Sequence, residues 1–265
     1  MQLRSGSDKS ANLARLVDAV RRAAGAGAGL LVAPEAAMHG YGRPTTDLAP
    51  VAEALDGPFV SGLAAVAAET GVTVVAGLFE AGAPAGRVYN TVTVVGPSGL
   101  MARYRKVHLY DALGWCESAR MAPGDPAEGL PVVAVGDLRL GVMTCFDLRF
   151  PEAARVLADG DATAVAVPAA WVAGPGKAEQ WEVLLRARAI ENTAYVLGAA
   201  QPEPEYTGCS MVVDPTGVVR ARLGGPAEGP GALLVADVRP DRVAEVRAGM
   251  PLLEQRRFVV RPAPR

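Results

Sequence analysis

The sequence predicts an α/β layered fold with mixed sheets. Three features lead there: helical and strand-like periods alternate along the chain, several strand-like runs are apolar at every position, and others pair off as hairpins. A run that is apolar throughout suits a strand covered on both faces, whereas hairpins demand antiparallel neighbours, so the sheets must be mixed. No shift in composition divides the chain, which reads as a single domain, 1–265.

The first element is an amphipathic helix, with Leu13, Leu16, Val17 and Val20 on one stripe between Ser10 and a glycine-rich stop at residues 25–29. LLVAPE follows as a buried strand ended by Pro34, which puts Glu35 at its carboxyl end. A second helix runs from Val60 to Thr70 and stops at Gly71. The runs VTVVAGLF and VYNTVTVV are strands, with a turn at GPSG after the second. Beyond MARYRKVHLY the stretch DALGWCESARMAPGDPAEG is irregular, and PVVAV and LRLGVMTC then form a pair joined through Gly136 and Asp137, with Cys145 where the second ends. Pro151 opens the helix PEAARVLADG, ATAVAVP is a strand, and KAEQWEVLLRARAIENTA is a helix carrying Trp181, Leu184 and Leu185 on one face. The tail is expected to be mainly strands. GAGLLVAPEA and GDATAVAVPAA echo each other weakly, which suggests a duplicated layer.

Half the residues are apolar (50%), ample for a sizeable core. Charges nearly cancel at 26 basic against 28 acidic, so no single-sign field points to nucleic acid or to an anionic membrane, and a small molecule is the expected partner. No apolar run approaches the roughly 20 residues that span a bilayer, and the first ten residues lack the apolar stretch of a signal peptide, so a cytoplasmic location is expected. Cys116, Cys145 and Cys209 are too few and too scattered for a disulfide framework or a metal site, which implies free thiols.

Of these thiols Cys145 is the candidate nucleophile. It ends a buried strand and is followed by FDLRFPE, a sharp turn into a helix, where backbone N–H groups and the helix dipole favour a thiolate. Core packing explains Cys209, and loop exposure explains Cys116. A thiol needs a base, and the composition leaves three candidates: His39, His108 and Glu35, a strand-end carboxylate whose pKa burial would raise. Lys106 alone says little, and each of these residues also has an ordinary structural reading.

Taken in order, VAPEAAMHGYG, YRKVHLYD and GVMTCFDLRFPE resemble the blocks of the nitrilase superfamily of carbon–nitrogen hydrolases, over nearly the whole chain. The resemblance implies a four-layer α-β-β-α sandwich, a homodimer or higher homo-oligomer, and a Glu-Lys-Cys triad on Glu35, Lys106 and Cys145. It implies an assisting glutamate at Glu117 in WCESARMAPGD, and it places Phe146, Trp171, Trp181 and Glu182 near the substrate and oxyanion. The string CFDLRFPE is similar to the branch of omega-amidases and deaminated-glutathione amidases. The activity implied is cleavage of a small carboxamide to acid and ammonia through a cysteine thioester, with Lys106 and the Phe146 N–H on the oxyanion. No metal and no organic cofactor are implied. N-carbamoyl amino acid hydrolysis, acyl transfer to an amine, and a non-catalytic binding module on the same fold stay open. Arg149, just past the nucleophile, is expected to brace its loop through an internal salt bridge, with binding of a substrate carboxylate as the alternative. At the amino terminus the family's first strand is nearly missing ahead of RSGSDKSAN, which leads to the expectation that the natural chain begins upstream of Met1.

Overall fold

The computed structural model describes residues 1–224 and 231–262. The first helix, α1 (Lys9–Gly25), starts where Asp8 accepts the Ala11 N–H at 3.0 Å, so a side-chain oxygen satisfies one of the orphan amides of the first turn. Next come β1 (Leu30–Val32) and α2 (Pro58–Thr70). The second helix begins at Pro58, two residues before the apolar pattern does, because proline's fixed φ suits a first helical position. It ends at Gly71, whose φ of +76° only glycine adopts without strain.

Strands β2 (Thr73–Glu80), β3 (Val88–Gly96) and β4 (Gly99–Arg105) then run as an antiparallel meander. With β1 parallel to β2 and the short β5 (Met121–Ala122) parallel to β3, they make a five-stranded mixed sheet. The second sheet is six-stranded. Its hairpin of β6 (Val132–Val135) and β7 (Leu138–Val142) closes through Gly136 and Asp137 as expected. Helix α3 (Pro151–Asp159) leads to β8 (Ala164–Ala169), and α4 (Lys177–Asn192) leads to β9 (Tyr195–Ala200). Both strands are parallel to β7, and β10 (Met211–Val213) and β11 (Val219–Arg222) complete the order β11-β10-β9-β8-β7-β6.

The continuous apolar runs are explained by where alternate side chains go. In β2, Val74, Ala76 and Leu78 enter the core beneath α1 and α2, while Val75 enters a second core between the sheets. In β8, Val165 and Val167 enter a third core beneath α3 and α4, while Ala164 and Ala166 face the second. Three apolar layers separated by two sheets make the α-β-β-α sandwich, and each strand is buried on both faces for that reason.

The tail after α4 is mainly strands as expected, β9, β10 and β11, with one helix that the sequence reading did not foresee. After β11 the described residues form a helix, α5 (Pro240–Gly249), in which Val243 is the one buried residue, so no apolar stripe announces it in the sequence. At the other end the Met1 ammonium donates to Val32 O at 2.7 Å, and Gln2 bridges Ala232. Burial pushes that ammonium down to about 5.

Candidate active site

The two strands that echo each other in sequence end face to face. Glu35 lies three residues past β1, Ala170 directly follows β8, and the Ala170 N–H donates to Glu35 Oε2 at 2.7 Å. Ala36 takes a left-handed φ of +54°, and the chain there packs so closely on β2 that a Cβ added to Gly77 would sit 2.6 Å from Ala36 N. Gln201, just past β9, holds the same corner by donating to Glu35 O at 2.9 Å. The carboxylate is thus aimed by backbone from both sheets.

Glu35 is 1% exposed, Lys106 2% and Glu117 6%. Lys106 leaves the end of β4 and donates from Nζ to Glu35 Oε1 at 3.0 Å and to Glu117 Oε2 and Oε1 at 2.8 and 3.1 Å. Glu117 sits in a short 3₁₀ turn, Glu117–Ala119, and also accepts the Tyr110 N–H at 2.6 Å, so its loop holds the carboxylate out of solvent. Two residues that the sequence reading passed over finish the cluster. Asn90 Nδ2 donates to Glu35 Oε1 at 2.7 Å and reaches Glu117 Oε1 at 3.1 Å, and Tyr41 Oη donates to Glu35 Oε1 at 2.8 Å. Asn90 Oδ1 is buried without a partner, yet turning the amide over would aim that oxygen at two carboxylates. An asparagine at a buried position of β3 was the signal available in VYNTVTVV, since asparagine is depleted in strands.

Cys145 opens a 3₁₀ turn, Cys145–Arg149, with a left-handed φ of +45°. For a residue with a Cβ that conformation costs about 1–3 kcal/mol, and it turns the thiol out of the sheet into the cavity that Glu35 and Lys106 also line. Arg188 of α4 braces the turn with two hydrogen bonds to Leu148 O, at 2.7 and 3.0 Å.

The electrostatics correct two expectations. Burial and then the Glu35 charge push the Cys145 thiol well above its ordinary value, more than Lys106 lowers it, so the resting sulfur is a neutral thiol and not the thiolate inferred from the turn. Burial also pushes the Glu35 carboxyl up, but Lys106, Asn90 and the Ala170 N–H outweigh it and leave Glu35 below the ordinary carboxylate range, not above it. Burial opposes the charge on Lys106 as well, and the flanking Glu117 and Glu35 more than compensate, holding it well above the ordinary lysine value. The resting site therefore pairs an ionised Glu35 with a charged Lys106 beside a neutral Cys145 thiol.

These groups line a cavity of about 50 Å³ together with Phe146, Arg149, Trp171, Lys177 and Tyr206. A larger cavity, about 410 Å³, lies between β1 and β9–β10 and is lined mainly by aliphatic side chains and backbone, so chemistry singles out the smaller one. Phe146 and Trp171 are in the lining, but the expectation for Trp181 and Glu182 is corrected. Trp181 is fully buried beneath β9 with its indole N–H on Cys209 O at 3.0 Å, and Glu182 faces away to pair with Arg222 at 2.9 Å. Both follow from helical geometry: Trp181 sits on the core stripe of α4, and its neighbour points elsewhere. Among the described residues Arg149 does not form the expected salt bridge. It donates to the Gln180 side chain at 2.7 Å and lies 4.7 Å over the Trp171 ring. His39 stays on Gly40 O and His108 on Asp147, and neither lines the cavity.

Comparison with known proteins agrees with this geometry. Residues 1–248 match the carbon-nitrogen hydrolase family. The chain is 42% identical over 264 residues to a Mycobacterium tuberculosis protein named hydrolase Rv0480c, covering 93% of this chain and 90% of that one. It is 37% identical over 229 residues to the deaminated glutathione amidase of Escherichia coli O157:H7, covering 86% and 85%. Among solved structures, Saccharomyces cerevisiae Nit3, a member of branch 10 of the nitrilase superfamily, superposes with a TM-score of 0.82 at 29% identity, covering 97% of this chain and 94% of that one. With a buried thiol facing a lysine-held carboxylate in a sandwich of this kind, the chain belongs to the carbon-nitrogen hydrolase family and is a thiol-dependent hydrolase of carbon–nitrogen bonds.

Proposed function

We propose that the chain hydrolyses a small carboxamide bearing a carboxylate, releasing ammonia and the acid through a thioester on Cys145. The observation that carries this reading is that the Cys145 thiol and a Glu35 carboxylate bonded by Lys106 line one buried cavity, so the carboxylate can take the thiol proton. Glu35 Oε1 already accepts from Tyr41, Asn90 and Lys106, whereas among the described residues Oε2 accepts from Ala170 alone, so room for the thiol proton is at Oε2.

Moving that proton leaves the net charge of the cavity unchanged, which matters where water cannot screen a new charge. As sulfur adds to the amide carbon, the carbonyl oxygen gains negative charge, and Lys106 with the Phe146 N–H stabilises it. Lys106 turning to that oxygen loosens its hold on Glu35, and the carboxyl, still buried, then binds a proton more firmly. Glu35 passes its proton to the nitrogen, ammonia leaves, and Cys145 is left acylated. Glu35 next deprotonates a water, which attacks the thioester carbon, and the thiolate leaves as the thiol. Glu117 orients Lys106 throughout.

The cationic end of the cavity supports a carboxylate on the substrate. Lys177 is 8% exposed and lies 5.2 Å over the Trp171 ring and 5.4 Å over Tyr110, with Arg149 on the same wall. Among the described residues neither cation is paired with a carboxylate. Burial, then Arg149, lowers Lys177 from its ordinary value, and an arriving anion would relieve both costs. The amidase name borne by the Escherichia coli relative supports an amide. Cytoplasmic residence and self-association belong to the same proposal, supported by three unpaired cysteines for the first and by the family resemblance for the second.

Intact-protein mass spectrometry tests the reading with pairs of small carboxamides that share a chain and end in a carboxylate or a methyl group. An adduct of substrate minus ammonia on Cys145 is expected with the anionic member. Lys177→Met should raise KM for that member roughly tenfold or more, the loss of about one favourable charge contact, and leave the neutral member nearly unchanged. Absence of an adduct across the panel, or equal use of both members, would overturn the proposal.

A further inference from the structure

The contacts of Glu35 and Glu117 account for how Lys106 is charged, but not for how its chain is held at a fixed distance from Cys145. The two residues belong to different sheets: Lys106 follows β4 in the first, and Cys145 follows β7 in the second. Between them lies Asp147, fully buried and two residues past the nucleophile.

Its carboxylate accepts four hydrogen bonds from three residues on two segments. Oδ2 takes Tyr104 Oη at 2.8 Å and Thr144 N at 2.9 Å. Oδ1 takes His108 Nδ1 at 2.7 Å and His108 N at 3.2 Å. Tyr104 lies near the end of β4 and precedes Lys106 by two residues, while His108 follows it by two, and Tyr104 Oη also accepts the Val107 N–H at 3.3 Å. The backbone of Lys106 is therefore clamped on both sides to one carboxylate, and that carboxylate also fixes the amide just ahead of Cys145. Phe150, at the far end of the same turn, stacks on the His108 ring at 3.8 Å and 8°.

We propose that Asp147 is a positioning residue that sets the Lys106 ammonium and the Cys145 thiol in mutual register, acting through Tyr104 and His108 on one side and Thr144 on the other. The inference rests on Cys145 and Lys106 being the reacting pair. Asp147 touches neither substrate nor the reacting atoms. Its whole effect is geometric, and a misplacement of about 1 Å at a reacting pair is enough for a loss on the order of a hundredfold. An asparagine at this position would be a poor substitute, because in either orientation its amide nitrogen replaces one acceptor and faces the Thr144 N–H or the His108 N–H, a donor already.

Single-turnover acylation with a carboxamide substrate, normalised to the number of titratable active sites, separates positioning from folding. Asp147→Asn should lower the acylation rate per active site by roughly ten- to a hundredfold with KM within about threefold. His108→Ala should show a smaller loss of the same kind, and His108→Asn, whose amide can donate to the same oxygen, should recover part of it. Should Asp147→Asn not fold, Tyr104→Phe removes one of the four donors and should still slow acylation per site. Unchanged acylation per active site in these variants, with only the titratable fraction reduced, would overturn the proposal. Cys145→Ala run in parallel keeps the two questions apart: turnover by that variant would refute the thioester reading itself, whereas an inactive Cys145→Ala beside a normal Asp147→Asn would refute only the positioning role.

Discussion

Lys106 Nζ lies 3.0 Å from Glu35 Oε1 in a pair whose side chains are 2% and 1% exposed, so a strand end of one hairpin and the corner after another strand share one buried charge interaction. Glu117, 2.8 Å from the same nitrogen, makes the lysine the counter-ion of two carboxylates. The arrangement binds function to stability, because neither acid tolerates its loss.

Lys106→Met should therefore fail in two ways. Turnover is lost with the oxyanion's cation, and two buried carboxylates lose their partner, a change that destabilises by about 3–5 kcal/mol when a buried pair is broken. Urea denaturation beside an activity assay checks both, and the double change with Glu35→Gln should recover part of the stability without recovering activity. A Lys106→Met protein as stable as the parent would contradict the buried ion-pair account.

The pH dependence follows from the directions of the shifts. Glu35 has a folded pKa below its unfolded one, so its contribution to stability is present above the ordinary carboxylate value and is lost as pH falls through the lower folded value. Lys106 is shifted upward, so its contribution is present below the ordinary lysine value and is lost only as pH rises through the higher folded one. Between those limits this pair adds no slope. Denaturation midpoints across the acidic range should fall more gently in Glu35→Gln than in the parent, and identical acid limbs would count against the shift.

Gly77→Ala tests the corner that aims Glu35. The added methyl would lie 2.6 Å from Ala36 N and 2.9 Å from Glu35 Cα, both backbone, so the Glu35 segment must move. A drop in kcat on the order of a hundredfold is expected, with a lowered melting temperature. Parent-like kcat would show that this close approach does not set the carboxylate.

The thiols should sort by reagent. Cys116 is exposed, whereas Cys145 is buried and protonated at rest, so a general alkylating agent such as N-ethylmaleimide should label Cys116 first. A substrate acyl group should instead be found on Cys145, where the proposed mechanism has Glu35 take the thiol proton as the amide binds. Peptide mapping after each treatment decides, and an acyl group on Cys116 or Cys209 would remove Cys145 from the reaction.

Much of the architecture was legible in the chain because it is written in local periodicity. Leu16 and Val20 on one helical stripe, the hairpin at Gly136 and Asp137, and the unbroken apolar runs of β2 and β8 each carry their own signal, and the blocks around Glu35, Lys106 and Cys145 carry the resemblance. Local pattern could not decide what depends on contacts between distant segments. Tyr41 and Asn90 become part of the site only because β3 and the corner after β1 meet there. Trp181 and Glu182, near the pocket wall in sequence, leave it because α4 turns one into the core and the other toward Arg222. The protonation states were decided the same way. Burial alone would raise the Glu35 carboxyl, but Lys106, 71 positions along the chain, and Ala170, 135 positions along, reverse the sign. A sequence shows which residues are able to ionise, but a pKa is set by every charge and dipole within a few ångströms, and only the folded chain places those.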